Sequence, residues 1–493
     1  MYKIKYLGLS LIASLMILSS CVKDQDDAPQ IEYDEITDFI WRGLNYWYYW
    51  QGEIEELSDS KLSNLDDYHL YLSTFDSPEA LFDHLKYDSQ DDFSWYIDDV
   101  AEQLKSFAGT SKSYGIRLAR SLFNVEAGGN VYIYIAYVVP GSPAEEAGLK
   151  RGDLIYRVDG TVMNPDNYTV INNLFNNDTV TIGVGSFVDG SFQASGSDVE
   201  ITRIEFPATP IQYHTVLETS GKKIGYLVYN SFKYPFHKEL NDVFGYFKDN
   251  GVDELVLDLR YNGGGTVITA AFLASMIDGS ITPEQEAFAD LRYNDKRNPT
   301  KGSTYPFFGD VYLYDFDGNY QSTVPMNRLT SIETLYVLTS ASTASASEMI
   351  INGLRPYMNV ITIGGTTVGK NEGSITVVDS PNSYDDPDNR NPNHTVGMQP
   401  IVFQIYNKLG QNDYDNGFVP TIELDEMDYP TEIKDFGDPT EPFLAAALNL
   451  ITGTTAKMDL RPSMNVYPVG KPIQEEKFSQ EMYLIPSKGT ELK

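Results

Sequence analysis

Ser345 and Lys370 are the two residues whose types and settings most suggest a reaction. Ser345 lies in the run Thr339-Ser340-Ala341-Ser342-Thr343-Ala344-Ser345-Ala346-Ser347-Glu348, between a strand-like segment from Leu335 to Leu338 and a helix through Leu354. A helix N-terminus leaves backbone N–H groups without intrahelical partners, so the Ala346 N–H can face a developing oxyanion. Lys370 closes the segment Gly364-Gly365-Thr366-Thr367-Val368-Gly369-Lys370 after another strand, Val360 to Ile363. A lysine serves as base when burial disfavours its charged form, and Ser-Lys pairs are an established variant of the catalytic triad. A third segment, Asp258-Leu259-Arg260-Tyr261-Asn262-Gly263-Gly264-Gly265, closes the strand Leu255 to Leu259 and opens a helix from Thr266 to Met276. Its glycine-rich turn exposes N–H groups, and Gly264 or Gly265 can supply a second oxyanion donor. A Ser/Ala-rich helix start and a loop lysine are each common without function, so the residues alone leave an inert reading open beside the catalytic one.

Competing constellations fail on specific residues. No two of the five histidines are close in sequence, no HExxH pattern is present and no usable Ser-His-Asp order stands out. The segment Gly364 to Lys370 nearly matches a P-loop. However, Asn371 stands where Ser or Thr is needed, and Ser374 to Val378 reads as a strand where a helix is needed. Ser58-x-x-Lys61 has β-lactamase spacing but lies in an acidic, polar stretch. Asp413-x-Asp415-x-Gly417 lacks a full calcium loop and reads as a turn. With one cysteine there is no internal disulfide and no cysteine-based metal site, and the chemistry implied needs no metal or organic cofactor. The formal net charge of −34 argues against nucleic acid as a partner.

The elements that must position these residues divide the chain of 493 residues into several regions, with enough apolar residues (42%) to bury several cores. Residues 31–105 read as helical: Ile36, Phe39, Ile40, Leu44 and Trp47 share one helix face, and Ser77-Pro78-Glu79 is a helix start. The aromatic run Tyr46-Trp47-Tyr48-Tyr49-Trp50 reads as helix packing rather than a ligand platform. Residues 106–205 switch to strand patterning, with a strand from Val131 to Val139. Ser142-Pro143-Ala144-Glu145 then begins a short helix with a capping box, Gly148 suits its C-cap, and Leu154 to Val158 is the next strand. Residues 206–460 alternate strands and helices as an α/β core, beginning with Ile224 to Val228. Residues 461–493 form a tail of mixed polarity with no assignment.

The N-terminus reads as an address. Lys3 and Lys5 precede an apolar run from Leu7 to Leu18, shorter than the about 20 residues of a membrane span. The run ends Leu18-Ser19-Ser20-Cys21, which looks like a lipobox with Cys21 as the lipidated residue. Residues 1–20 are thus a lipoprotein signal peptide and 21–30 a tether. The expected location is the cell envelope, lipid-anchored at the outer membrane, with the membrane face open.

Two resemblances extend this reading. GSPAEEAGLKRGDLIYRVDG, residues 141–160, resembles a PDZ domain. PDZ domains add an extended C-terminal peptide to a sheet edge and hold its carboxylate on backbone N–H groups, here expected near Tyr114, Gly115 and Ile116. The set D-L-R-x-N-x-G-G, S-A-S-E and G-x-x-x-G-K behind such a domain resembles the carboxyl-terminal processing peptidases, the tail-specific S41 family. The resemblance covers roughly residues 30–455 and includes Gly417-Phe418-Val419-Pro420-Thr421-Ile422 and a closing helix within Asp438 to Leu450. It implies a multidomain α/β protein: an N-terminal helical region, a PDZ β-rich domain and a ClpP/crotonase-like α/β serine peptidase core. It also implies Ser345 as nucleophile, Lys370 as base, and Ala346 and Gly265 as oxyanion donors. The implied partners are protein or peptide substrates with accessible C-termini, with PDZ binding as a gate; oligomeric state is left open. Two positions depart from the family pattern. Ser374 stands where many members carry glutamine, and Ser374 could still bond the lysine; Pro356 stands where many carry aspartate. These departures keep a non-catalytic peptide-binding lipoprotein on the same fold as the alternative.

Overall fold

The computed structural model of the protein describes residues 33–454, 464–471 and 480–485. The leader and Cys21 lie outside them. A six-stranded sheet carries the α/β region, in the order Ile211–Thr219, Lys222–Tyr229, Glu254–Asp258, Thr334–Thr339, Asn359–Gly364 and Ile422–Glu423. Every pair is parallel except the first, which is a tight hairpin. Parallel strands are buried on both faces and therefore read as apolar runs. Leu255, Leu257, Leu335 and Val337 point into one core, packed by the helices His237–Asp249, Val267–Ile277 and Ala346–Leu354. Val256, Tyr336 and Leu338 alternate to the other face, under the helix Pro442–Thr452. The helix Val267–Ile277 is buried at every residue, as a helix apolar on all sides must be.

The expected strand from Ser374 to Val378 and the segment Gly417 to Ile422 each pair only in part. The segment from Ser374 to Val378 splits into Glu372–Ser374 and Val377–Val378, which pair with Ile401–Tyr406 and Gly397–Gln399. Pro400 interrupts the partner between those two pieces, since it has no N–H for a ladder. In the segment after Gly417 only Ile422–Glu423 pairs, because Gly417 has φ +75° and Pro420 lacks a donor.

The N-terminal region packs directly on the α/β core. The helix Glu35–Trp47 buries Phe39, Ile40, Trp41, Leu44 and Trp47, and Asp34 caps it by accepting the Ile36 N–H at 2.8 Å. The aromatic run is packing: Trp47 Nε1 donates to the Ser383 carbonyl at 2.6 Å, and Tyr48 OH donates to Asp91 at 2.5 Å.

The β-rich domain has its own core. Its sheet runs Val199–Thr202, Thr179–Val188, Leu154–Val158, Ile133–Val138 and Ile116–Leu118, which leaves Ile116–Leu118 as an edge. Ser142 caps the helix Pro143–Glu146 as expected. The Glu145 carboxylate, however, accepts the Gly141 N–H at 2.7 Å instead of closing a capping box on Ser142. This domain locks to the α/β core through buried charge. Arg151 donates to Glu426 at 2.8 Å and to Tyr261 OH at 2.7 Å, while Arg260, fully buried, donates to Glu426 at 3.1 Å, to Glu441 at 2.8 Å and to Asp258 at 2.6 Å.

Both described stretches of the tail pair into the fold. Tyr467–Gly470 pairs with Leu122–Asn124 of the β-rich domain. Met482–Tyr483 lies between Gly265–Thr266 and Glu372–Ser374, parallel to both.

Candidate active site

The three segments singled out by their chemistry all leave the carboxyl ends of adjacent parallel strands. The glycine turn follows Glu254–Asp258, Ser345 follows Thr334–Thr339, and Lys370 follows Asn359–Gly364. Ligands and reacting groups gather at this edge of an open α/β sheet because loops there converge over the strand ends.

Ser345 is held in a strained backbone, with φ +65° and ψ −117°, immediately before the helix Ala346–Leu354. A non-glycine residue in such a region costs about 1–3 kcal/mol and persists only where its surroundings enforce it. The enforcement comes from Glu348, one turn into the same helix. Its buried carboxylate accepts the Ser345 N–H at 2.8 Å, the Gly369 N–H at 2.7 Å, the Lys370 N–H at 2.9 Å and the Thr367 hydroxyl at 2.6 Å. One carboxylate therefore ties the serine backbone to the lysine backbone. Burial pushes the Glu348 carboxyl up to about 7, against the opposing pull of its four donors. The Ser345 hydroxyl is itself buried and has no hydrogen-bond partner among the described residues. A buried, unsatisfied hydroxyl is costly and marks a group reserved for something else.

Gly264 and Gly265 close the other side. A Cβ on Gly264, where φ is +116°, would lie 2.7 Å from Ser345 Cβ and 2.9 Å from its Oγ. Only glycine lets this turn approach the serine so closely. The two glycines differ in what their N–H groups do. The Gly264 N–H already donates to Asn262 Oδ1 at 2.8 Å, so Gly264 drops out as an oxyanion donor. The Gly265 N–H donates to a peptide carbonyl, that of Glu481, at 2.5 Å. Ala346 opens its helix, fully buried beside Ser345.

Lys370 is fully buried and does not bond Ser345. Its Nζ donates to the Gln480 carbonyl at 2.8 Å and to the Glu481 carboxylate at 3.2 Å, and it lies 4.5 Å from the centre of the Phe93 ring. Ser374 does not support it either. The Ser374 hydroxyl donates to the Met482 carbonyl at 3.1 Å and accepts from Gln399 Nε2 at 3.0 Å, because the strand Glu372–Ser374 turns that side chain toward the tail. The P-loop reading fails in space as in sequence, since the Gly369 and Lys370 N–H groups are spent on Glu348. His237 has both ring nitrogens occupied, by Tyr312 O and Thr269 Oγ1, and burial lowers its pKa to about 4.

A single cavity of about 1260 Å³ joins the edge strand of the β-rich domain to the glycine turn. Tyr114, Ile116, Arg117 and Leu118 line one end, and Gly263, Gly264, Gly265 and Glu481 line the other. Gly115 takes φ +80°, where a Cβ would strike Ser142, but its N–H is already donated to Ser113 Oγ at 2.9 Å. Arg203, whose guanidinium sits 5.0 Å from the Tyr114 ring, is one of several cations lining the same cavity that sequence reasoning missed. Glu348, Asn262, Phe93 and Glu481 were missed as well. Glu348 had a signal in the S-x-S-E spacing; Glu481 had none.

Comparison with known proteins converges on one family. The Peptidase family S41 model matches residues 223–423, the Peptidase S41 N-terminal domain residues 35–95, and a PDZ domain residues 134–175. A solved S41 protease from Bacteroides fragilis, described as putative in its source, superposes with a TM-score of 0.67 at 28% identity, over 86% of this chain and 99% of that one. A carboxyl-terminal-processing protease of Picosynechococcus is 26% identical over 47% of this chain and 49% of its own length. The chloroplastic C-terminal processing peptidase of Tetradesmus obliquus is 23% identical over 68% of this chain and 65% of its own. These matches span less than two thirds of the length of either relative.

Proposed function

The chain belongs to peptidase family S41, and from that premise we propose that it is a serine endopeptidase in which Ser345 is the nucleophile and Lys370 the base. The observation that carries this reading is a peptide carbonyl, that of Glu481, seated on the Gly265 N–H, while the unpartnered Ser345 hydroxyl stands against Gly264. A carbonyl held on a backbone donor beside a free nucleophile is the arrangement that acyl transfer requires.

In the reaction, neutral Lys370 takes the Ser345 proton as Oγ attacks the substrate carbonyl. The oxyanion is met by the N–H groups of Gly265 and Ala346. Lys370 then protonates the leaving amine, and water releases the acyl group. Glu348 takes no proton in this scheme; it fixes the relative position of serine and lysine. Substrates are proteins with accessible C-termini. The open edge Ile116–Leu118 of the PDZ domain receives the tail by strand addition, and the cavity that continues to Gly264 and Gly265 supports passage from one to the other. The lipobox at Cys21 supports a lipid anchor and a place in the cell envelope. A Cys21→Ala chain is then expected to leave the membrane fraction, and its retention there would overturn the anchor.

Cleavage of an unfolded protein with an apolar C-terminus tests the activity, using wild type, Ser345→Ala and Lys370→Ala. Loss in both variants is expected. Equal cleavage in all three would remove Ser345 and Lys370 from the mechanism.

A further inference from the structure

The strand that holds the candidate site's peptide carbonyl is this chain's own. Residues 480–485 come from the tail, yet their contacts are those of an incoming substrate. Met482–Tyr483 completes a sheet between the oxyanion turn Gly265–Thr266 and the strand Glu372–Ser374, which follows Lys370. The Glu481 carbonyl occupies the Gly265 N–H, and the Met482 carbonyl accepts the Ser374 hydroxyl at 3.1 Å. A Cβ on Gly264 would meet the Glu481 carbonyl oxygen at 2.3 Å and the Ser345 Oγ at 2.9 Å, so that carbonyl and the nucleophile press on the same Cα.

The side chains anchor what the backbone places. Met482 is fully buried, Ile485 is nearly so, and Tyr483 stacks on Phe107 with ring centroids 3.8 Å apart while its hydroxyl donates to the Phe107 carbonyl at 2.8 Å. On the other side of the Glu481 carbonyl the strand captures the lysine, through the Gln480 carbonyl and the Glu481 carboxylate. With its Nζ held by the Gln480 carbonyl and the Glu481 side chain, Lys370 makes no hydrogen bond to Ser345 Oγ, and a general base must lie within hydrogen-bond reach of the proton it takes. The strand thus has a substrate's pose and disables the base.

We propose that residues 480–485 are an intramolecular pseudosubstrate that occupies the peptide site and keeps the enzyme latent until the strand leaves. This rests on the reading of Ser345 and Lys370 as the catalytic pair. It also names what the site takes: an extended peptide added in parallel between Gly265–Thr266 and Glu372–Ser374, with an apolar residue and then an aromatic one after the scissile position, as Met482 and Tyr483 are here.

The test compares the full chain with a chain ending at Ser479 and with a full-length Met482→Asp, Tyr483→Ala double variant, each checked for native circular dichroism. The second variant guards against misfolding of the first. Three readouts are taken: labelling of Ser345 by a fluorophosphonate probe, cleavage of an unfolded protein, and hydrogen exchange at Gly265 and residues 372–374. A site competent for one tenth of the time or less reacts about tenfold more slowly than an open one. Labelling and cleavage are therefore expected to rise at least about tenfold in both variants. Exchange at Gly265 and 372–374 should quicken, and the peptide Gln-Glu-Met-Tyr-Leu-Ile added in trans should restore slow exchange and inhibit competitively. Unchanged exchange and labelling in folded variants would overturn the proposal. So would a fragment of the full chain ending at Glu481, which makes the strand a substrate rather than a block. Faster exchange and labelling without any cleavage would uphold the pseudosubstrate's occupancy and refute the peptidase reading instead.

Discussion

Replacing Glu348 by glutamine changes one atom of a fully buried carboxylate, and its hydrogen bonds give the consequence. Oε1 accepts from Thr367 and Gly369, and Oε2 accepts from Ser345 and Lys370. A glutamine keeps one oxygen, so whichever way it turns, its NH2 group faces two buried donors. Each buried donor left without an acceptor costs about 1–3 kcal/mol, which sets the expected loss for Glu348→Gln at about 2–6 kcal/mol. The assay is urea unfolding at pH 8, above the value of about 7 to which burial pushes this carboxyl, so that wild type is compared in its ionised form. In the orientation that turns the NH2 group toward Ser345 and Lys370, the same loss frees Ser345 from its positive φ and unties its backbone from that of Lys370. Misplacement of that kind costs about 100-fold in rate, expected in kcat rather than KM. A Glu348→Gln protein within about 1 kcal/mol of wild type, with unchanged kcat, would refute the idea that this carboxylate joins serine to lysine.

Three further outcomes follow. Gly264→Ala places a Cβ 2.7 Å from Ser345 Cβ at a φ of +116°, so peptidase activity should fall at least about 100-fold, measured by Ser345 labelling as well as turnover. Arg151→Met leaves Glu426 with one fewer buried cation and should destabilise the chain by about 3–5 kcal/mol; denaturant unfolding and protease nicking between the PDZ domain and the core check it. Burial raises the Glu481 carboxyl to about 7, opposed by Lys370 and Lys233, so the docked strand holds a proton that a free strand releases above about 4.5. Docking therefore weakens as pH rises from about 4.5 through 7, and labelling of Ser345 should rise more steeply over that window in the full chain than in the chain ending at Ser479.

The sequence made the scaffold legible wherever local chemistry decided it. Continuous apolar runs placed the strands around Leu255 and Leu335, and Ser142, Pro143 and Gly148 placed the short helix within a residue or two. Ser345, Lys370 and Gly265 were legible as types at a spacing, and the fold brings their segments to one sheet edge. Ser374 and Gly264 were misjudged because hydrogen-bond direction is a tertiary matter. Gly264 has the right backbone, but Asn262, two residues earlier, takes its N–H. Residues 480–485 were illegible because a strand of six residues carries no period of its own; its partners lie more than 100 positions away in the chain, with Lys370 111 residues from Glu481.

The Glu426 junction bears on how far this protein can be treated as modules. The carboxylate belongs to the core, yet it receives Arg151 and Tyr134 from the PDZ domain and Arg260 and Tyr261 from the segment leading into the oxyanion turn. A graft of a foreign PDZ domain lacking an arginine at position 151 would inherit a half-satisfied buried anion against the segment that leads into the glycine turn. Loss of cleavage in such a chimera would report a broken foundation, not a change of taste for substrate tails. If the edge strand Ile116–Leu118 receives substrate tails as proposed, a transplant of specificity has to carry that strand, Arg151 and its acceptor Glu426 together.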